Sequence, residues 1–348
     1  MKENIYNGYT WLEKRKAPKR KELSIDNVKK ELLFLNPIFK EMVWGGERLR
    51  EFDYPLPSEH VGECWGISAH PHGDCTIREG FCEGKRLSEV WREYPMLFGG
   101  YESEEYPLLV KIIDAKSDLS IQVHPDDAYA RVHESGSLGK TECWYIMDCR
   151  EDTSLVIGHN ARSREEMEEM IDGRRWEEFL REVPVHKGDF IQIDPGTVHT
   201  IKGGMVIFET QQSSDITYRL YDYDRRVQGQ LRKLHLKQSK DVITVPSRDA
   251  SKSVRSTLGM SPNRLNEMVS NQYYTVWKLD VEEEFSFEQR YPFMNMSVLE
   301  GAGRISGREI RKGDNFIIPA AYGRVELQGR MLLIASIANQ AGLKGVYK

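Results

Sequence analysis

Four residues in three short stretches have the chemistry of metal ligands. Gln122 and His124 lie two positions apart in S-I-Q-V-H-P-D-D, so their side chains share one face of an extended strand. Glu142 opens the run E-C-W-Y-I-M, and His199 ends P-G-T-V-H. Imidazole nitrogens with a carboxylate and an amide oxygen suit Zn²⁺, and also Mn²⁺, Fe²⁺ or Co²⁺. With one position left to water or substrate, such a site would be catalytic rather than structural.

The elements that must position these ligands are predicted to be short β-strands. From about residue 33 to 240, apolar runs rich in Val, Ile, Tyr and Trp alternate with Gly, Pro and Asp, which is typical of a barrel or sandwich. Two stretches, 86–94 and 163–181, have helical period instead. In the second, Ser163 is the predicted N-cap and Gly173 divides two short helices. The predicted fold class is therefore all-β dominated, with a few inserted helices.

A repeat links the two halves of the chain. Residues 187–199 align without gaps with residues 312–324: each has a K-G-D turn, an apolar strand and a Pro-containing turn. Two copies of one small β-barrel plan would produce this pattern. Arg324 stands where the first copy has His199, so only the first barrel is predicted to keep its metal ligands.

Composition divides the chain into four predicted segments. Between 241 and 271 the strand pattern gives way to Ser, Lys, Arg, Asn and Pro, which suits a connection over the surface. The segments are a basic N-terminal arm at 1–32, a metal-binding barrel domain with helical insertions at 33–240, the connecting segment at 241–271, and a second barrel-like domain without metal ligands at 272–348.

Charge and cysteine content exclude several classes of protein. The net charge is −5 and both signs are interspersed, so neither a nucleic-acid footprint nor a membrane-surface stripe is present. No apolar run approaches the roughly 20 residues of a membrane span, and a signal peptide is not recognisable. The five cysteines are odd in number and form no C-x-x-C pair, which predicts reduced thiols. We expect a cytoplasmic chain without nucleic-acid or membrane partners.

Other histidines compete less well as ligands. His70 and His72 are also two apart, but they lie amid Pro and Gly, which interrupt strand alternation. The remaining candidates are read as ordinary polar residues: His133, His159, His186 and His235.

Seven runs of the sequence are long enough to compare with known families. They are P-I-F-K-E-M-V-W-G-G (37–46), G-E-C-W-G-I-S-A-H-P (62–71), P-L-L-V-K-I-I-D-A (107–115), S-I-Q-V-H-P-D-D (120–127), G-K-T-E-C-W-Y-I (139–146), P-G-T-V-H (195–199) and E-T-Q-Q-S-S-D-I-T-Y-R-L-Y-D-Y-D-R (209–225). These runs resemble the short bacterial, cupin-type mannose-6-phosphate isomerases. The resemblance implies two cupin-like (jelly-roll) β-barrels. It also implies a zinc-dependent isomerase that interconverts mannose 6-phosphate and fructose 6-phosphate through a cis-enediol.

The resemblance further implies a ligand set for one Zn²⁺ per chain. The family's ligands fall on Gln122, His124, Glu142 and His199. Some short members carry Lys at the position of Gln122, which leaves a three-ligand site with two waters as the alternative. Longer members read H-K-P-E where this chain reads G-K-T-E, so no role of that histidine carries over to Gly139.

Isomerisation needs charge stabilisation at the enediol oxygens and a grip on the phosphate. Lys111 stands alone in an apolar strand, which is costly unless the amine is paired or lies in a pocket. We expect it in the active site, with Ser120 as a phosphate-binding neighbour. Lys140 and Arg219 are catalytic candidates whose charge could bind the phosphate or the developing oxyanion.

The reaction also needs a base near neutral pH. Glu209, which closes the strand M-V-I-F-E, is the first candidate, and Glu63 is the second. The direction of their pKa shifts is open, as is the choice between a Lewis-acid and an orienting role for the metal. Trp44 is expected to wall the sugar pocket.

Two other functions stay open, because cupins host many chemistries. The main alternative is a non-catalytic sugar-phosphate-binding cupin protein, and a metal-dependent oxygenase is a third possibility. The oligomeric state, monomer or homodimer, is not predicted.

Overall fold

The computed structural model describes residues 31–339, in which strands far outnumber helices. The predicted basic arm at 1–32 lies outside the described residues except for its last two positions, and so do residues 340–348 of the predicted second domain. The predicted fold class, all-β with two cupin-like barrels and few helices, is confirmed. No helix in the described part of the chain is long and apolar enough to cross a membrane.

Two antiparallel sheets face each other in the first barrel. In spatial order the larger sheet contains β18 (Val254–Ser256), β12 (Asp189–Ile193), β9 (Glu142–Asp148), β14 (Met205–Gln212), β7 (Leu108–Ala115), β2 (Ile38–Gly46) and β3 (Val61–Ile67). The smaller contains β11 (Leu180–Pro184), β10 (Ser154–His159), β13 (His199–Thr200), β8 (Ile121–Val123) and β15 (Tyr218–Tyr221). Between them Ile146 and Ile207 of the larger sheet pack with Ile157 of the smaller in one apolar core.

The second barrel is one eight-stranded sheet around its own core. Its strands in spatial order are β19 (Asn266–Ser270), β20 (Tyr274–Gln289), β24 (Gly323–Ala338), β21 (Met294–Ile305), β23 (Asn315–Ile318), β1 (Leu33–Asn36) and β6 (Thr76–Ile77), and β22 (Arg308–Arg311) pairs with β21. Phe316, Met296 and Leu333 come from different strands and meet in the interior of this sheet.

Short elements complete the chain. Two-stranded ribbons are formed by β4 (Ala69–His70) with β5 (Gly73–Asp74), and by β16 (Arg226–Val227) with β17 (Gln230–Leu231). The α-helices are α1 (Leu87–Glu93), α2 (Asp127–His133), α3 (Arg164–Asp172), α4 (Trp176–Phe179) and α5 (Leu236–Val242). Single 3₁₀ turns occur at Arg48–Phe52, Pro95–Phe98 and Ala250–Lys252.

Both helical stretches predicted from the sequence are confirmed. Residues 86–94 contain α1, and residues 163–181 contain α3 and α4. The Ser163 hydroxyl accepts a hydrogen bond from the Glu166 amide at 3.2 Å, which satisfies one of the free N–H groups of the first turn. Gly173 follows the last residue of α3, at the predicted division.

Strands of the larger sheet are apolar on both faces because both faces are buried. In β9, Trp144 and Ile146 point into the first barrel. Cys143 and Tyr145, between them in sequence, point the other way and pack with Tyr274 of the second barrel. The side chains of β9 therefore alternate between the two faces, but this alternation is not visible in the sequence as a change between polar and apolar residues.

The repeated K-G-D turn has the same geometry in both barrels. Gly188 and Gly313 both have positive φ, at 87° and 95°, which a residue with a Cβ adopts only under strain. In the first turn the Asp189 carboxylate accepts from the amide three residues earlier, and Asp314 does the same in the second. Arg324 of the second copy is exposed and pairs with a neighbouring glutamate, so its side chain is not part of a buried site.

Two strands near the proposed segment boundaries pair with a barrel other than the one expected from their segment. β1 begins the proposed first domain, yet it pairs with β23 of the second barrel. β18 belongs to the proposed connecting segment 241–271, yet it pairs with β12 of the first. The division at 33–240, 241–271 and 272–348 therefore stays a proposal, and it applies to most of the strands of each barrel rather than to all of them.

Candidate metal centre and active-site cavity

One row of interior side chains crosses the five-stranded sheet. Antiparallel pairing sets His199 of β13 opposite Gln122 of β8, and Gln122 opposite Arg219 of β15. Residues directly opposite each other point to the same face of a sheet. His124, two positions after Gln122, shares that face. The spacing of Gln122 and His124 was visible in the sequence, whereas the register that adds the other two residues was not.

A second row crosses the seven-stranded sheet on the other side of the interior. Trp65 of β3 lies opposite Lys111 of β7, Lys111 opposite Glu209 of β14, and Glu209 opposite Trp144 of β9. Glu142 precedes Trp144 by two positions and therefore points to the same side. The site lies between the two rows.

Three ligand-type side chains meet where the rows approach. The ligand atoms of His124, Glu142 and His199 all lie within 4.8 Å of one another, and the three residues are buried. His124 Nε2 is 3.4 Å from Glu142 Oε2, and His199 Nε2 is 3.3 Å from Glu142 Oε1. A divalent cation between these atoms would have two nitrogen ligands and one oxygen ligand, a common set for zinc.

Backbone carbonyls fix the tautomer of both histidines. His124 Nδ1 donates to Ile216 O at 2.8 Å, and His199 Nδ1 donates to Thr197 O at 2.8 Å. Each ring therefore presents the lone pair of Nε2 to the group, as metal-binding histidines usually do. Burial lowers the pKa of both rings, that of His124 to about 3 with the help of the Lys140 charge. Neutral imidazole is the form that binds metal.

Glu142 supplies the negative charge of the group. Burial works to raise its pKa, but Lys140 and the two histidines together hold the pKa well below the ordinary value for glutamate. Both carboxylate oxygens are buried and lack a hydrogen-bond partner among the described residues. Lys140 Nζ lies 2.6 Å from Oε2 as an ion pair without hydrogen-bond geometry. Two orphaned, charged oxygens facing two imidazole lone pairs fit a metal cation.

Gln122 lies beside the group. Its Nε2 is 3.3 Å from His199 Nε2, and its Oε1 accepts a hydrogen bond from the Ser120 hydroxyl at 3.3 Å. Rotation of the amide by half a turn would direct Oε1 at the group, and only this oxygen could ligate a metal. Gln122 is within reach as a fourth ligand, although its oxygen points away in the present orientation.

A cavity of about 310 Å³ lies next to the three buried ligands, because residues that contact them line it. Lys140 and Gln122 form part of its wall. The other predicted active-site residues line it as well: Trp44, Glu63, Lys111, Ser120, Glu209 and Arg219. All eleven residues singled out from the sequence are therefore in the cavity wall or in the group beneath it.

Lys111 is held between two carboxylates. Its Nζ is 3.6 Å from Glu63 Oε2 and 3.3 Å from Glu209 Oε2, and it lies 5.2 Å from the centre of the Trp65 ring. Burial works to lower the pKa of Lys111, but the two glutamates outweigh it and raise the pKa. The Lys111 ammonium is charged, and the two carboxylates beside it give this part of the site a net negative charge.

The two carboxylate oxygens of Glu209 differ: one accepts a hydrogen bond, and the other has only the ion pair with Lys111. Trp144 Nε1 donates to Oε1 at 2.9 Å, while Oε2 is buried without a hydrogen-bond partner among the described residues. Burial, with the charge of Glu142, raises the pKa of Glu209. The sequence left this direction open, and desolvation decides it.

Sequence reasoning missed some residues of the cavity wall. Trp65 Nε1 donates to Glu63 Oε2 at 2.6 Å, and its position two residues after Glu63 was an available signal. Arg232 also lines the cavity, but it lies in an irregular segment after β17, where no periodicity points to it.

His70 and His72 form a second cluster with Asp215, and both His72 and Asp215 line the cavity. His72 Nδ1 is 2.5 Å from Asp215 Oδ2, and His70 Nε2 is 3.6 Å from Oδ1. His72 and Asp215 are exposed, and the shorter distance is that of a direct hydrogen bond. This cluster is therefore distinct from the buried group at His124, Glu142 and His199.

The two barrels, with a buried His-Glu-His group beneath a cavity in the first, define a metal-binding protein of the cupin class. Residues 32–150 match the family described as phosphomannose isomerase type I, catalytic domain, and residues 265–338 match the mannose-6-phosphate isomerase cupin domain. The chain belongs to the type I phosphomannose isomerases, because it also has curated relatives named mannose-6-phosphate isomerase that are 45% and 43% identical over 88% and 89% of its length.

Three relatives illustrate this similarity. Mannose-6-phosphate isomerase ManA of Bacillus subtilis is 45% identical over 311 residues, which cover 88% of this chain and 98% of that protein. A crystal structure of the mannose 6-phosphate isomerase from Bacillus subtilis superposes with a TM-score of 0.81 at 41% identity, covering 88% of this chain and 99% of that one. A structure described as mannose 6-phosphate isomerase (holo; zinc bound) shares the fold, with a TM-score of 0.70 at 13% identity and coverage of 88% and 99%.

Proposed function

We propose that this chain interconverts mannose 6-phosphate and fructose 6-phosphate in the cavity above His124, Glu142 and His199. The observation that carries the proposal is the combination of a buried metal-ligand group with a buried Lys111–Glu209 pair in the wall of one cavity. Membership of the type I phosphomannose isomerases supports the substrate, since relatives that match nearly all of their own length are named mannose-6-phosphate isomerase.

The proposed cofactor is one Zn²⁺ per chain. His124, Glu142 and His199 would hold it, with Gln122 or water in the fourth position. When bound, Zn²⁺ would supply Lewis-acid polarisation or orientation of the sugar oxygens. The donor set supports this metal, as does the fold shared with a relative described as zinc bound.

Glu209 is the proposed base. In the open-chain aldose, removal of the proton from C2 gives a cis-enediol, and return of a proton to C1 gives the ketose, while the hydroxyl proton passes from O2 to O1. Oε1 of Glu209 is fixed by Trp144, so Oε2 remains to carry the proton between the carbons. Its raised pKa favours proton transfer near neutral pH.

Two ammonium groups are proposed to stabilise the negative charge that develops on the enediol oxygens. Lys140 Nζ lies between the metal-ligand group and the cavity, 3.1 Å from His124 Nε2. Lys111 lies beside the base, and Glu63 keeps it in place with Glu209. Fixed charges of this kind, in a site shielded from water, lower the barrier without reorganisation.

The other wall residues are proposed to hold the substrate. Trp44, which is buried against the apolar core of the first barrel, would limit the space for the sugar chain. Ser120 would donate its hydroxyl to the phosphate, and Arg219 would contact either the phosphate or an oxyanion.

A coupled assay for fructose 6-phosphate, with mannose 6-phosphate as substrate, tests the function. Metal-replete protein should turn over, chelation should abolish turnover, and added Zn²⁺ should restore it. A sugar-phosphate sensor would bind mannose 6-phosphate in a titration but give no product in the assay.

The outcomes bear on different parts of the proposal. Failure of metal-replete protein to form product contradicts the isomerase function. Turnover that persists in protein shown to be free of metal contradicts the metal-dependent mechanism while leaving the activity in place.

A cytoplasmic location belongs to the same proposal. The cysteines of the described chain are free thiols, and four of the five are buried, as expected in a reducing compartment. The proposed binding partner of the protein is the sugar phosphate, and neither a nucleic acid nor a membrane is proposed as a partner.

A further inference from the structure

Two arginines line the cavity wall, and neither belongs to the metal-ligand group. Arg219 comes from β15, and Arg232 comes from the segment after the β16–β17 ribbon. Arg219 Nε is buried and has no hydrogen-bond partner among the described residues. A buried donor without an acceptor is costly, and Arg219 is part of the cavity wall, where a ligand could supply the acceptor.

Arg232 is oriented by a buried carboxylate. Its Nη1 donates to both oxygens of Asp222, at 3.1 Å and 3.2 Å, and Asp222 also pairs with Arg225. In residues 31–339 no acceptor is bonded to Nε or Nη2 of Arg232. One edge of the guanidinium is therefore fixed, and the other is available to a ligand.

The local charge balance is positive. One aspartate, Asp222, pairs with Arg225 and Arg232 and also interacts electrostatically with Arg219. Arg219 and Arg232 both line the cavity. Burial lowers the pKa of Arg219, and the charge of Arg232 lowers it further. Burial also lowers the pKa of His235, and the charge of the adjacent Arg219 lowers it further. Like charges held together away from water are costly unless an anion lies between them.

The part of the cavity wall around Lys111 has the opposite balance. Lys111 is flanked by Glu63 and Glu209, so one positive charge faces two negative charges. A phosphate dianion placed there would be repelled by both carboxylates. The surroundings of Lys111 and those of the two arginines thus differ in the sign of their local charge balance.

The spacing of the sheet matches the ends of a sugar phosphate. His199, Gln122 and Arg219 lie on three adjacent strands in one row, so the arginine and the metal-ligand end are about two strand spacings, or roughly 10 Å, apart. An extended six-carbon chain with its reactive end at the metal-ligand group would carry the phosphate on C6 towards the arginines.

We propose that Arg232 and Arg219 form the phosphate-binding subsite, with Ser120 as a neighbouring donor and Asp222 as a positioning residue for Arg232. Guanidinium groups bind phosphate oxygens through paired N–H donors, which explains why two free edges face one space. This inference rests on the proposed function, because it takes a sugar phosphate as the ligand of the cavity.

Arg232→Met in the metal-loaded protein tests the subsite, with Arg226→Met as the matched control. Arg226 lies in the exposed ribbon just before Arg232 and does not line the cavity. Loss of one charge-assisted contact should weaken binding of inorganic phosphate, measured by equilibrium dialysis, on the order of 10- to 100-fold. The KM for mannose 6-phosphate should rise by a similar factor, with kcat and zinc content little changed.

A second substitution separates charge from geometry. Arg232→Lys keeps the charge but loses the paired donors, so its phosphate affinity should lie between those of the wild type and Arg232→Met. Unchanged phosphate affinity in Arg232→Met would overturn the subsite, and so would equal weakening in Arg226→Met. Phosphate binding is measured without turnover, so an inactive wild-type protein would contradict the proposed function without deciding the subsite.

Discussion

The two imidazoles of the proposed metal centre are prepared for binding by their surroundings. Burial removes the solvent that would stabilise a charged ring, and the nearby ammonium of Lys140 adds to this at His124. Each ring also donates its Nδ1 proton to a backbone carbonyl. At neutral pH neither ring therefore has to lose a proton before metal binds, which favours affinity.

Removal of one imidazole should separate metal binding from substrate binding. We expect His199→Ala to lose zinc and at least about 100-fold in activity, because a three-ligand group loses one ligand. Arg219→Ala should keep its zinc, since Arg219 contacts the cavity but is not one of the three clustered ligands. Metal analysis of the two purified variants measures this. Equal zinc content in both would contradict the ligand assignment.

Glu209→Gln should remove the proposed base while preserving shape. Loss of a general base costs on the order of 10²- to 10⁴-fold in rate. We expect a fall of this size in kcat, measured in the coupled assay, with unchanged zinc content. The same substitution at Glu182, an exposed residue of β11, is the control and should have no effect. Normal kcat in Glu209→Gln would exclude it as the base.

The pH dependence of the wild type follows from the same residue. A base is active when ionised, and burial raises the pKa of Glu209. Activity should therefore be present above this raised pKa and be lost as the pH falls through it. An acid limb of kcat/KM at or below the ordinary glutamate value of about 4.3 would contradict this assignment.

At the scale of elements, strand register assembles the site. β8 supplies Gln122, and the strands on either side, β13 and β15, add His199 and Arg219 to the same row. A shift of one residue in either pairing would turn the added side chain to the other face of the sheet. The short strands β8 and β13 are fixed by their neighbours in a five-stranded sheet rather than by their own length.

The facing row depends on register in the same way. Lys111, Glu209 and Trp144 lie opposite one another on β7, β14 and β9. This places a buried ammonium next to a buried carboxylate, and it places the indole N–H where it can orient that carboxylate. The ion pair of Lys111 with Glu209 and the indole hydrogen bond to Glu209 offset part of the cost of burying this polar row.

At the scale of the whole molecule, the second barrel supports the first. The sheet of the first barrel packs its outer apolar face against the second, in a core shared by both. Gly66 of β3 illustrates how close this contact is. A Cβ added at Gly66 would lie 2.5 Å from the side-chain oxygen of Asn315, which is buried at the start of β23.

Gly66→Ala should therefore destabilise the contact between the barrels. Overpacking of a buried contact costs about 1–3 kcal/mol, and we expect a loss of this size in the free energy of unfolding, measured by denaturant titration. Zinc content of the folded protein should not change, because the substitution lies outside the metal-ligand group.

A second variant provides the control for this contact. In an Asn315→Ala background the added methyl has space, so Gly66→Ala should cost less there than in the wild type. Equal costs in both backgrounds would show that Asn315 does not limit the space at Gly66.

Local patterns in the sequence were enough to predict the types of metal ligand and much of the two-barrel architecture. The period of two placed Gln122 and His124 on one face, and the repeated K-G-D turn predicted the second barrel and its lost ligand. The two helices at 163–181 were predicted because capping and helical period are local properties. A lone lysine in an apolar strand marked Lys111 for the interior. These features depend on neighbours in the chain, which a sequence displays directly.

Only the tertiary structure decided the register and the balance of charge. His199 and Arg219 join the row of Gln122 through pairings between strands that are distant in sequence. Lys111 is balanced by two carboxylates, whereas Arg219 faces another arginine, Arg232, from an irregular segment without a sequence signal. The physical reason is that electrostatic energy and desolvation depend on distances through space, and these exist only once the strands have paired and the sheets have packed.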